Sequence, residues 1–184
     1  MNKQLLMLSI CSIATIMLLS GMQNVSAAGY LKIGDIKGES TDDGHKDWID
    51  LLSVSHEISR DSTGKSHRSS TTFGDIVLVK EVDASTPKLQ ESIATGKYIP
   101  SVIIDFTRNV GTERPTEVPY LQYELKQVQI TSYSFSGATQ SDTVPTEQIS
   151  LNFEEIKVTY TQYDEQGKKK GNIEYSWKVE KGEK

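Results

Sequence analysis

Three histidines fall at positions 45, 56 and 67, evenly eleven apart, with Asp42, Asp43 and Asp47 around the first. Imidazoles and carboxylates together are ligands for zinc and other divalent metals, but a site needs three or four of them converging in a defined geometry. No His-x-His or His-x-x-x-His pair is present, and residues eleven apart in strands and loops have no reason to meet. No metal site is expected. His56 shares parity with Leu52, Val54 and Ile58, which suits a satisfied histidine facing inward or into an interface. Ser53, His56 and an aspartate have the composition of a hydrolytic triad, yet the Gly-x-Ser-x-Gly elbow that would aim the serine is missing. Glu154-Glu155 could supply acid–base chemistry only if a bulge brought them to one face, because strand neighbours point apart. A solvated or intersubunit role fits that pair better. Lys168-Lys169-Lys170 offer cations to anionic lipid or an acidic partner, but three lysines in a turn ordinarily make only a soluble loop. No catalytic, cofactor-binding or metal-ligating residue is expected, and no enzyme.

Charge and targeting narrow the partners. Lys+Arg number 20 against Asp+Glu 25, for a net charge of −5, and four arginines are too few for a phosphate-binding face. Nucleic acid is not an expected partner. Residues 1–27 read as a signal peptide: Lys3, an apolar stretch over residues 5–19, then Val25-Ser26-Ala27 as a small-residue cleavage site between Ala27 and Ala28. The stretch is short of the roughly 20 strongly apolar residues of a membrane span, and Ser9, Ser12 and Thr15 interrupt it. Ile10 before the lone Cys11 argues against lipoprotein processing. Cleavage removes Lys3 and Cys11, takes the net charge from −5 to −6 and leaves residues 28–184 as one domain with no thiol chemistry. A secreted or periplasmic protein without stable membrane insertion is expected.

The elements that would position these groups are mostly strands. Ile173, Tyr175, Trp177 and Val179 alternate with polar residues, predicting a strand with one buried face and Trp177 in the core. Leu151 and Phe153 share one parity and Ile156, Val158 and Tyr160 the other, so a bulge is expected at Glu154-Glu155. Residues 164–171 read as the hairpin loop between these strands. Upstream, apolar parity shifts between Leu125 and Val128 and again between Ile130 and Tyr133, as in a curved barrel wall. Ile76-Val77-Leu78-Val79 and Val102-Ile103-Ile104 predict strands covered on both faces. One short helix is expected, with Thr86 as N-cap, Pro87 at its first position and Gly96 as its stop. A single short helix among many strands predicts a barrel or sandwich.

The segment 30–40, beginning Tyr30-Leu31-Lys32-Ile33-Gly34, resembles the opening strand of the haemolysin-coregulated protein (Hcp) family, which forms the tube of type VI secretion systems. Segments 85–100, 125–130, 148–153 and 175–177 resemble the family's helix and later strands, in order. The resemblance implies a mainly-β fold, a compact barrel of two β-sheets with one short flanking helix. It also implies a homo-hexameric ring, stacked rings, a spike at the tube's end and small effector proteins as cargo. A Sec-type leader departs from the family pattern, since tube subunits are loaded in the cytoplasm, so a monomeric secreted or periplasmic binding module on the same fold stands as the alternative. Residues 59–72 are polar where the family pattern has a glycine-rich loop. The family's corresponding loop reaches toward the neighbouring ring, and Arg60, Lys65 and Arg68 outnumber Asp61 within it here. A ring-stacking loop and an unpartnered surface loop both fit.

Overall fold

A computed structural model describes residues 27–60, 71–111, 116–137 and 144–179. Seven strands form the path β2-β1-β7-β8-β9-β6-β3. They are β1 (Ala27–Ile33), β2 (Ile49–Leu51), β3 (Ser53–Ser55), β6 (Ile76–Glu81), β7 (Tyr98–Val110), β8 (Thr116–Ser136) and β9 (Thr146–Asn152). The ends of that path, β2 and β3, are separated only by Leu52, whose amide donates to the Val79 carbonyl at 2.8 Å. That joint closes the sheet on itself. Inside it, Leu31, Ile33, Ile49, Leu78, Ile104, Leu125 and Leu151 are fully buried, the area burial that drives closure. The fold is mainly β with one short helix among the described residues, as both the strand pattern and the resemblance imply.

Curvature comes from bulges in the 21-residue β8. Gln127 takes φ 50 between Lys126 and Val128, which pair with Ser101 and Ile99 of β7. Thr131 is skipped where the register with β9 shifts. Both fall where apolar parity changes, so each extra residue returns Leu125, Val128 and Ile130 to the interior. The expected bulge at Glu154-Glu155 is instead a corner. β9 ends at Asn152 and β10 (Glu155–Tyr163) begins three residues on, with buried Phe153 anchoring the turn. β9 pairs with the C-terminal part of β8 and β10 with the stretch 121–126. β11 (Lys169–Lys178) pairs with β10.

The apolar runs expected to be covered on both faces are covered on one. Ile76 and Leu78, Val102 and Ile104 are buried, while Val77, Val79 and Ile103 between them are half-buried. Ser85 rather than Thr86 holds the N-cap position of α1 (Thr86–Thr95), without a side-chain capping bond, and Gly96 closes the helix at φ 63, a left-handed turn glycine adopts freely. Thr86 instead donates to Glu147 Oε1 at 2.9 Å. Lys80, on the inward parity of β6, is wholly buried. Its Nζ meets Glu147 Oε1 at 2.6 Å and Asp83 Oδ1 at 2.8 Å, and Tyr133 donates to Glu147 Oε2 at 2.7 Å. This network ties α1 to β6, β8 and β9.

Candidate assembly surfaces

Beyond the corner, β10 and β11 extend the N-terminal half of β8 into a three-stranded outgrowth. Its registers align Leu125–Ile156–Trp177, Tyr123–Val158–Tyr175 and Leu121–Tyr160–Ile173 in rows across one face. Cover fades along those rows. Ile156 is buried and Trp177 half-buried, but Tyr175 is 42% exposed, Tyr160 36% and Ile173 63%. The expectation that β11 buries its apolar face, with Trp177 in the core, is therefore corrected. The alternation is real, yet the barrel does not reach far enough to cover it. Among the described residues β11 pairs with β10 alone, so an unsatisfied backbone edge borders the uncovered stripe.

The opposite face of the outgrowth is a charge lattice. Glu155 lies 3.0 Å from Lys126 and 3.6 Å from Lys178. Lys157 lies 3.2 Å from Glu174 and 3.9 Å from Glu124. The hydrogen bond from Lys126 holds the Glu155 carboxyl below its usual range. Glu154 and Glu155 do not combine into an acid–base pair, because Glu155 is spent in this lattice. Such exposed pairs keep the face soluble and add little stability.

A short arm closes over the shielded end of the rows. β4 (Ile58–Arg60) and β5 (Thr71–Phe73) pair as a two-stranded hairpin, and Phe73 stacks on Trp177 with centroids 6.1 Å apart. His56, at the arm's base, packs 5.8 Å from Phe153 and 6.3 Å from both Phe73 and Tyr123. Its Nε2 is buried without a hydrogen-bond partner among the described residues, and burial pushes the imidazole pKa down. The histidine is packed and inward-facing, but it is not satisfied, because the apolar rings around it offer Nε2 no acceptor or donor. Arg60 ends β4; Lys65 and Arg68 lie outside the described residues, as do residues 1–26 of the leader. Ala27 and Ala28 open β1, opposite Arg108 and Thr107 of β7.

One polar cluster escaped the reading of the sequence. His45 lies flat on Tyr30, 4.1 Å between centroids, with Trp48 edge-on. Its Nδ1 is 2.6 Å from Asp42 Oδ1 and its Nε2 3.1 Å from Asp105 Oδ2. Gln122 donates to Asp105 at 2.8 Å. Burial raises the Tyr30 phenol, whose hydroxyl donates to Glu117 at 3.2 Å. The cluster pins the lobe of residues 38–48 to β1 and β7. Gly38 belongs to the same docking, since a Cβ there would lie 2.3 Å from the Trp48 carbonyl oxygen. Parity reveals no pair sixty residues apart, so Asp105 could not be matched to His45 in advance. Among the described residues, no three His, Cys, Asp or Glu side chains converge as a metal-ligand set. Nor is any helix there long and apolar enough to cross a membrane.

A curved barrel, one helix and an outgrown hairpin with an uncovered apolar stripe describe a structural building block. Residues 30–160 match the family described as type VI secretion system effector, Hcp. The chain is 32% identical over 155 residues to protein hcp1 of Pseudomonas aeruginosa, covering 82% of this chain and 93% of that one. The fold is similar to Hcp1 from Salmonella typhimurium, with TM-score 0.69 and 25% identity over 86% of this chain and 98% of that one. A solved type six secretion system protein superimposes at TM-score 0.76 with 24% identity, covering 86% and 99% of the two chains. The chain belongs to the Hcp family of type VI secretion proteins, whose members are secreted structural proteins rather than known enzymes.

Proposed function

We propose that this chain is exported as the repeating, non-catalytic subunit of a hexameric ring. Rings stack into a tube that carries small effector proteins and meets a spike at its end. The observation that carries the proposal is the outgrowth: among the described residues, Tyr160, Ile173 and Tyr175 lie uncovered beside an edge of β11 that pairs with no further strand. A contiguous apolar stripe on a soluble chain marks a surface that another chain covers. In a closed ring each copy presents that surface to a different surface of the next. Native mass spectrometry of the mature protein is expected to give six times the subunit mass. Ile173→Glu with Tyr175→Glu is expected to give monomers with unchanged circular dichroism. A hexamer in that variant would remove the stripe from the interface, and monomers in the wild type would remove the ring.

The leader is proposed to be cleaved between Ala27 and Ala28, which intact mass of exported protein reads directly. Leader retention on protein in the medium would overturn it. This leader also favours the second reading, a monomeric secreted or periplasmic binding module. Export by the general route would separate the subunit from a cytoplasmic sheath. On that reading the same stripe takes a different partner, and the native mass decides between the two.

A further inference from the structure

Two buried side-chain nitrogens among the described residues have no hydrogen-bond partner, Nε2 of His56 and Nε of Arg108. Arg108 rests on Tyr120, 5.3 Å from the ring centroid, and a guanidinium keeps its charge at every physiological pH. An imidazole does not. His56 therefore stands where a change of pH can change the charge of a buried group.

Its place in the fold is a hinge. β3 ends at Ser55 and β4 begins at Ile58, so His56 and Glu57 form one root of the arm. Gly74 forms the other root, its amide donating to the Glu57 carbonyl at 2.9 Å. β4 and β5 pair with each other in a sheet separate from the barrel. Ile58 on β4 is 48% exposed, so the apolar grip of the arm falls to Phe73, which stacks on both Trp177 and His56. The imidazole joins three elements: Phe73 of the arm, Tyr123 of β8 and Phe153 of the corner.

A neutral imidazole carries one N–H and one bare nitrogen. Protonation would add a charged N–H that finds no acceptor among these rings, a far costlier thing to bury. Aromatic faces return only part of that cost. The neighbours offer no counter-charge. Burial raises the phenols of Tyr123 and Tyr175 above their ordinary range, so both stay neutral. Glu57, next in the chain, is exposed. Among the described residues, no carboxylate or cation acts on the ring from the arm, β8, β11 or the corner. A hydrogen bond with the Gly74 backbone favours the charged ring, and burial outweighs it.

We propose that His56 is a pH-sensitive latch: neutral, it seats the β4–β5 arm against the outgrowth, and protonated, it releases the arm at its roots. Release bares Phe73 and Trp177 and so adds the row Leu125–Ile156–Trp177 to the uncovered stripe. The sign follows from linkage. In a released arm the imidazole titrates at its ordinary value of 6.5, and in the docked arm it titrates lower. Docking is therefore fullest above pH 6.5 and weakens as pH falls from there toward the lowered value. The latch works within one chain, so it stands whether or not rings form.

Hydrogen exchange of the full mature chain tests it, read by mass spectrometry at about pH 7.5 and about pH 5, either side of the ordinary imidazole range, and corrected for the intrinsic pH dependence of exchange. Protection of residues 57–60 and 71–74 is expected to fall about tenfold or more at the lower pH, since each tenfold difference in proton affinity between docked and released states gives up to a tenfold change in population. β6, β7 and β9 are expected to keep their protection to within about twofold, as separate opening units do. Acrylamide quenching of Trp177, taken as the difference between wild type and Trp177→Phe, is expected to rise over the same range. His56→Phe keeps a ring in the cage without a titrating group, and its arm is expected to stay protected at both pH values. Arm protection that does not change with pH would overturn the proposal. So would a loss shared equally by β6, β7 and β9, or an acid release that persists in His56→Phe.

Discussion

β6 and β11 obey the same rule of alternation and meet opposite fates. On β6 the inward parity ends in a charged residue, Lys80, and that lysine is wholly buried with Glu147 and Asp83 around it. On β11 the favoured parity holds Ile173 and Tyr175, and both stand in solvent. Alternation reports which side chains share a face. Whether a second layer lies over that face depends on the reach of the barrel, and the barrel ends at Trp177. The barrel wall is finished by its own chain, and among the described residues the outgrowth is not.

The comparison can be broken at its strongest point first. Lys80→Met removes the cation from a buried pair and strands two carboxylates, so a loss of about 3–5 kcal/mol is expected. Adding Glu147→Gln is expected to recover part of that loss, because one of the two stranded carboxylates is then neutral and Asp83 alone stays uncompensated. Thermal melts of both variants check it, and equal destabilisation would mean the pair is not the source. Trp177→Ala comes next. A fully buried aromatic costs about 3–5 kcal/mol on truncation, and for a half-covered one roughly half is expected in the monomer. Ile173→Ala is expected to cost within about 0.5 kcal/mol there. Similar shifts for these two would erase the gradient of cover.

The junction of the two regions gives a smaller, pH-dependent effect. Burial lowers the His56 pKa from its ordinary value of 6.5, so the unfolded chain takes up a proton before the folded one does. Stability from this group is fully present above pH 6.5 and is lost as pH falls from there toward the lowered folded value. His56→Phe is expected to flatten stability across that window in a pH series of urea unfolding curves. An unchanged slope would place the pH dependence elsewhere. The smallest effect belongs to the outer lattice, where Lys157→Ala is expected to leave the melting temperature unmoved, as exposed ion pairs do.

Features written in local spacing were readable from the chain, and features assembled across distance were not. The parity shifts of β8 mark Gln127 and Thr131 because a bulge adds one residue to a period of two. At Glu154-Glu155 the same signal meant a corner, since parity cannot distinguish a bulge from a strand that changes partners. Arg60, Lys65 and Arg68 were visible as a basic segment, and Lys65 and Arg68 lie outside the described residues. His45 is the sharpest case. Its partners Asp42 and Asp105 lie on both sides of it in space, and only the pairing of β1 with β7 sets the second in place.

β8 runs unbroken through barrel and outgrowth, paired along one flank with β7 and along the other with β9 and then β10. No linker separates the two regions. A push delivered to the outgrowth is carried by backbone and by two parallel rows of hydrogen bonds loaded in shear, and it enters the barrel without passing a hinge. The described chain is stiff along the line from outgrowth to barrel.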